Sequence, residues 1–163
     1  MTLTPFRHKA PRLPGYDYRN AGGYFVTIRF EIIDESDAYA KLKKVVKDSF
    51  KEVATRRPEF SVDNWVLMPD HLHFICLLDD TRLPQLIAVN DKMRSKPLGF
   101  FIRQIKAKIT WTMNRTVGIN FTWRTNFYEH IIRNEAELNR TRKYILENPL
   151  ALEIKEVADV YRN

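Results

Sequence analysis

The chain predicts an α+β fold in which an antiparallel sheet carries helices packed on one face. Three observations point there: runs in which apolar residues alternate, longer runs with apolar residues at helical spacing, and the order of the two. That order is strand, helix, strand, strand, helix, strand, helix, with no internal repeat or linker. It suits a ferredoxin-like sandwich. A length of 163 residues fits one domain with a real core.

Met1 to Gly23 is rich in proline, glycine and cations, including Arg7, His8, Lys9, Arg12 and Arg19, and has no amphipathic period. It reads as a basic N-terminal arm over residues 1–23, either contacting a nucleic-acid backbone or forming a loose leader, ahead of a single domain over 24–163. Tyr24 to Phe30 is a strand with Tyr24, Val26, Ile28 and Phe30 on one face and Phe25, Thr27 and Arg29 on the other. From Ser36 to Arg56 the period becomes helical. Tyr39, Leu42, Val45 or Val46, Phe50 and Val53 form the apolar stripe, Ser36 and Asp37 suit the N-cap, and Arg56-Arg57-Pro58 ends the helix.

Two strands follow, Phe60 to Met68 and His71 to Leu78, separated by the turn formers Pro69 and Asp70. Asp79 to Arg82 reads as a solvated loop, and Leu83 to Pro97 as a mixed signal in which Pro97 breaks a short helix. Leu98 to Arg115 is an amphipathic helix with Leu98, Phe101, Ile102, Ile105, Ile109 and Met113 inward and a basic side of Arg103, Lys106 and Lys108. Trp111 and Trp123 are either core residues or platforms for unpaired bases. Thr122 to Ile132 is extended. Glu135 to Glu147 is the last helix, with Leu138, Thr141 and Ile145 inward and Arg140, Arg142 and Lys143 outward, and Pro149 is expected to end it at Asn148.

A formal net charge of +7 predicts attraction to a polyanion and is compatible with a nucleic-acid partner. The single Cys76 excludes an internal disulfide and a cysteine zinc cluster. No apolar run has the length of a bilayer-spanning helix, so no membrane partner is expected and the expected location is the cytoplasm.

The residue types that carry chemistry lie in two places. Side chains alternate across a strand, so His71 and His73 stand side by side on one sheet face. Such a pair is half of a metal site, or else two surface or hydrogen-bonded histidines; the pattern alone leaves both open. Near the C-terminus, Tyr144 and Asn148 are four residues apart and face the same way from the last turn of a helix.

With these pieces in view the chain resembles the histidine–hydrophobe–histidine ("HUH") single-tyrosine transposases, and specifically the REP-associated tyrosine transposases. The matching blocks are Gly15-Tyr16-Asp17-Tyr18 with Tyr24-Phe25-Val26-Thr27-Ile28, then Met68-Pro69-Asp70-His71-Leu72-His73, then Phe127-Tyr128-Glu129-His130-Ile131-Ile132-Arg133, and Tyr144 to Pro149. They are collinear and span nearly the whole chain. At Asp70 the sequence departs from the commoner asparagine, a change read here as one of turn geometry.

The resemblance implies the HUH endonuclease/transposase fold and a metal-dependent single-stranded DNA endonuclease and strand transferase. Tyr144 would be the catalytic nucleophile, and His71, His73 and Asn148 the metal ligands, holding Mg2+ or Mn2+; nitrogen and oxygen donors without thiolate do not exclude zinc. A phosphodiester repels nucleophiles through its charge, so a cation on its non-bridging oxygens answers the chemical need. The product would be a 5′-phosphotyrosyl DNA and a free 3′-hydroxyl. Arg7, Lys9, Arg12, Arg103, Lys106, Arg124 and Lys143 are the expected DNA contacts, with His130 as a site-wall or hydrogen-bonding residue rather than a ligand. The implied partner is single-stranded DNA beside hairpins of repetitive extragenic palindromes, bound by a monomer or a homodimer. Two further readings stay open: a noncatalytic hairpin nucleic-acid-binding protein, and a phosphodiesterase that uses activated water.

Overall fold

The computed structural model describes residues 15–32, 37–83 and 97–160, the last eleven of these by backbone alone. Among the described residues seven main elements run in the expected order: β1 (Gly22–Ile32), α1 (Ala38–Arg56), β2 (Phe60–Leu67), β3 (His71–Leu78), α2 (Pro97–Trp111), β4 (Phe121–Ile132) and α3 (Glu135–Val160). The strands form one sheet in the order β2-β3-β1-β4, and every neighbouring pair is antiparallel. This is the ferredoxin-like α+β arrangement that the order of patterns predicts.

Alternation divides each strand between two apolar clusters. Tyr24, Val26, Ile28 and Phe30 of β1 and Leu72, Phe74, Cys76 and Leu78 of β3 point to the face covered by α1 and α2, where Leu42, Val46, Phe50, Phe101, Ile105 and Ile109 meet them. Phe25 of β1 and Ile75 of β3 point the other way and are covered by α3 through Ile145, with Leu138 and Tyr144 packed alongside. The helices of the minimal fold therefore share one face, and the added C-terminal helix takes the other. Tyr16 and Tyr18 also pack against the larger cluster, with ring contacts to Tyr24 at 6.5 and 5.9 Å.

A bulge in β2 serves the docking of α3. Val62 pairs with Cys76 and Trp65 with Phe74, so Asp63 and Asn64 together stand opposite Ile75. The extra residue shifts the alternation, leaving Trp65 and Leu67 with the large cluster and Val66 with the small one. Asp63, on the bulge, receives Arg142 Nε of α3 at 2.6 Å. Arg142, expected to point outward, is instead a tie between the last helix and an edge strand.

Several local expectations change. The last helix does not stop at Asn148: it continues through Pro149 to Val160. A proline inside a helix gives up the bond to the carbonyl four residues back, here that of Ile145, and its neighbours carry the helix onward. Among the described residues α2 starts at Pro97, where a first-turn residue needs no N–H partner; the short helix expected before it falls outside them. After Trp111 the coil widens into a π-turn over Thr112–Val117, closed by Gly118 at φ +79°. Tyr39 leaves the buried stripe of α1 and is 40% exposed, its hydroxyl donating to the Leu67 carbonyl. Asp37 makes no side-chain cap and pairs with Lys41 at 3.0 Å. Ser36, most of the Leu83–Pro97 stretch, and Arg7, Lys9 and Arg12 of the arm lie outside the described residues.

Candidate active site

The site lies on the α3 side of the two central strands. Register places Thr27 of β1 between His73 of β3 and Tyr128 of β4, so these three side chains form one row across the sheet. His71 is two residues along β3 and on the same face, as alternation requires. The two imidazoles meet there: Nε2 of His71 and Nε2 of His73 are 3.0 Å apart.

Their other nitrogens are held from behind. Nδ1 of His71 is 2.6 Å from Asp70 Oδ1, and Nδ1 of His73 is 2.8 Å from Thr27 Oγ1. An ionised carboxylate only accepts, so Asp70 fixes the proton of His71 on Nδ1 and leaves Nε2 of the neutral ring with a lone pair. His73 then donates from Nε2 to that lone pair and accepts the Thr27 hydroxyl on Nδ1. Burial pushes the Asp70 carboxyl up, but the hydrogen bond from His71 and the nearby charge of Arg29 outweigh it, and the group stays below its ordinary value.

Tyr144 reaches this face from α3. Its ring centroid lies 5.8 Å from that of His73 and 5.8 Å, edge-on, from that of Phe25, while Phe25 and His73 are 5.1 Å apart. Histidines and tyrosine thus come together within one chain. Ile145, 2% exposed, packs beneath the helix beside Tyr144 and sets its rotation over the sheet. Asn148 stands four residues beyond Tyr144 on the continuous helix, and its amide nitrogen is buried with no hydrogen-bond partner among the described residues.

His130 lies across β1 from Phe25's other neighbour, Ile75, and takes no part in the histidine pair. Its Nε2 is 2.6 Å from Glu137 Oε1. The second oxygen of Glu137 accepts the Arg133 N–H at 2.8 Å, and Asn134 Oδ1 accepts the Glu137 N–H at 2.9 Å. Asn134 caps the helix, Glu137 reaches back to the end of the strand, and together these bonds fasten the start of α3 to β4.

The expected DNA cations are spread over the surface. Arg124 pairs with Glu31 at 2.5 Å and Lys143 with Glu147 at 3.7 Å, both exposed. Arg103 and Lys106 line a groove between α2 and β4 on the far side of the sheet. Trp123 packs against the core and donates Nε1–H to the Lys106 carbonyl at 3.1 Å, whereas Trp111 is 60% exposed. Asp79 accepts from Thr81 and pairs with Arg82, which uses its carboxylate within the loop.

Sequence reasoning missed Thr27 and Phe25, and gave Asp70 to turn geometry alone. Alternation puts Thr27 and Phe25 on the histidine face, but pairing them with His73 needs the β1–β3 register. Asp70 had a local signal: a carboxylate adjacent to His71 can reach its Nδ1.

Among the described residues no three or more His, Cys, Asp or Glu side chains gather as a metal-binding group. The residues present nonetheless fit a divalent ion. Two Nε2 atoms 3.0 Å apart have about the separation of ligands at right angles roughly 2.1 Å from a shared ion. Both rings have their second nitrogens engaged, as metal-bound histidines do. A half-turn of the Asn148 amide would put Oδ1 where the unpartnered Nδ2 now lies, an acceptor that a cation satisfies.

A ferredoxin-like sheet that sets a histidine pair beside a helix-borne tyrosine is the arrangement that the resemblance to single-tyrosine transposases implies. No protein-family model matches the chain. An uncharacterized protein of Haemophilus influenzae is 30% identical over 164 residues, spanning 87% of this chain and 88% of that protein. The REP-associated tyrosine transposase of Escherichia coli K12 is 26% identical over 143 residues, spanning 87% of this chain and 75% of its own length. The solved structure of a REP-associated tyrosine transposase bound to a REP hairpin superposes with a TM-score of 0.56 at 25% identity, covering 80% of this chain and 67% of that one. Over most of its length the chain is similar to REP-associated tyrosine transposases. The relatives that carry a functional name are transposases, which are enzymes, and among the described residues no helix is long and apolar enough to cross a membrane.

Proposed function

We propose that this protein cleaves and rejoins single-stranded DNA beside hairpins through a covalent link to Tyr144. The observation that carries the reading is the meeting of Tyr144 with His71 and His73 on one sheet face, 5.8 Å between the rings of Tyr144 and His73. Hairpin DNA as the partner is supported by the relative solved with a REP hairpin.

His71, His73 and Asn148 would hold a magnesium or manganese ion. When bound, that ion supplies neutralisation of the non-bridging phosphate oxygens. Asp70 and Thr27 keep the two imidazoles turned toward the phosphate. Phe25 backs the tyrosine ring edge-on, and Ile145 holds the helix turn that carries it. The phenolic oxygen attacks phosphorus in line with the 3′-oxygen: the bond from phosphorus to tyrosine forms, and the bond to the 3′-oxygen breaks. The proton lost by the phenol is balanced by the one gained by the leaving 3′-oxygen. A phenolate is itself a good leaving group, so attack by another 3′-hydroxyl reverses the step as joining. Cleavage and ligation then share one site without ATP.

The test is a denaturing gel after incubation with labelled hairpin DNA and manganese. A metal-dependent protein–DNA band with the wild type and none with Tyr144→Phe is the expected result. Multiple-turnover cleavage by Tyr144→Phe would instead assign the attack to water, and binding by both proteins without any cleavage would leave a hairpin-binding module.

A further inference from the structure

On the sheet face opposite the histidines, α2 and β4 enclose a groove of about 660 Å³ lined by Arg103, Lys106, Trp111, Arg115, Thr125 and Phe127. Among the described residues none of Arg103, Lys106 and Arg115 pairs with a carboxylate, in contrast to neighbouring Lys108 and Arg124, which are neutralised by Glu52 at 2.6 Å and Glu31 at 2.5 Å. Lys106 Nζ donates to the Arg124 carbonyl at 3.0 Å, which holds its charge at the wall of the groove. Trp111 is 60% exposed, and it forms the ridge between this groove and a second one of about 440 Å³ that includes Arg56 and Lys108.

The combination is selective about what it fits. A phosphate backbone matches unpaired cations. An exposed indole matches the flat face of a base, and a duplex hides those faces inside its stack, so an unpaired strand fits and a double helix does not. An acidic peptide would satisfy the cations and leave the indole and Phe127 without use.

The groove is also within reach of the candidate active site. Tyr128 follows Phe127 on β4 and points to the opposite face, where it stands beside Thr27, which bonds His73. β4 is the edge of the sheet and lies two strand spacings, about 10 Å, from β3. A strand that left the histidine pair along this row would pass Tyr128 and reach the groove around the outer edge of β4.

We propose that the α2–β4 groove is a second contact site that takes the unpaired DNA flanking the reacting phosphate, with a base stacked on Trp111 and phosphates on Arg103, Lys106 and Arg115. The proposal rests on the reading of this chain as a protein that acts on DNA, but not on covalent attack by Tyr144.

The experiment measures equilibrium binding of the full chain without added metal, so that no cleavage occurs, to a short hairpin oligonucleotide and to the same hairpin with an unpaired flank. The wild type should gain affinity from the flank. Trp111→Ala should lose that gain, weakening binding of the flanked DNA roughly tenfold, while Trp111→Phe, which keeps an aromatic face, should retain most of it. Replacing Arg103 and Arg115 by Gln should lower the slope of log affinity against log salt by roughly 0.7 per lost phosphate contact. The proposal is overturned if Trp111→Ala binds both oligonucleotides as the wild type does, if a flank made double-stranded gives the same gain, or if an RNA flank gives a larger gain than DNA. Failure of the tyrosine reading shows on the denaturing gel as a missing covalent band and leaves this binding difference in place.

Discussion

The Thr27 hydroxyl lies 2.8 Å from Nδ1 of His73, and a hydroxyl can both donate and accept. In the metal-free arrangement it donates to that nitrogen. Were His73 to hold the proposed ion through Nε2, its ring proton would sit on Nδ1 and the same hydroxyl would accept it. Thr27→Val keeps the shape and loses both roles, so manganese affinity should fall by roughly 10–100-fold, whereas Thr27→Ser should stay near the wild type. Isothermal titration of manganese into the three proteins checks this, and equal affinity for the valine variant would remove Thr27 from the site.

Asp70 acts on His71 as Thr27 acts on His73, through a 2.6 Å contact to Nδ1. Asparagine offers an oxygen at the same reach but no charge. The expected order of manganese affinity is therefore wild type, then Asp70→Asn, then Asp70→Ala, with the alanine variant at least roughly tenfold weaker. An alanine variant as tight as the wild type would return Asp70 to a turn-forming role alone.

Ile145 is the apolar foot of α3, 2% exposed and packed with Phe25, Val66 and Ile132. Ile145→Ala should cost about 2–4 kcal/mol in urea unfolding, the usual range for such a truncation. Its neighbour Leu146 is 66% exposed, and Leu146→Ala should change stability by about 0.5 kcal/mol or less. Equal effects at the two positions would mean that the helix sits on the sheet at a different rotation.

Glu137 joins His130 and the Arg133 N–H to the first turn of α3. Burial pushes its carboxyl up, but hydrogen bonds from His130 and Arg133 and their charges outweigh that, so it ionises below its ordinary value of 4.5. A carboxyl with a depressed folded-state value stabilises the fold above the unfolded value and loses that contribution as the pH falls through the folded one. Glu137→Gln should thus cost about 1–2 kcal/mol at pH 7, with the difference shrinking as pH drops below 4.5. Denaturant unfolding of both proteins across that range reads it, and a difference independent of pH would mean that the ionised form is not what matters.

Much of the fold was legible because its signals are local. Phe25 and Thr27 were separated from Tyr24 and Val26 by alternation alone, and the structure keeps them on opposite faces. The helix end at Asn148 was misread because the conformational bias before a proline is also local, and a helix already packed on a sheet can override it. Arg142 was read as solvent-facing because its partner, Asp63, is brought forward by a bulge that helical spacing cannot reveal.

By itself the sequence determined that His71 and His73 share a face and that Tyr144 rides a helix, because the pleat of a strand and the turn of a helix repeat over a few residues. Only the tertiary structure decided which face that helix covers, that Thr27 is the neighbour of His73, and that Trp111 is exposed while Trp123 is packed. Those facts depend on strand order and register between segments distant in the chain, and the periodicity within a segment does not encode which other segment it will meet.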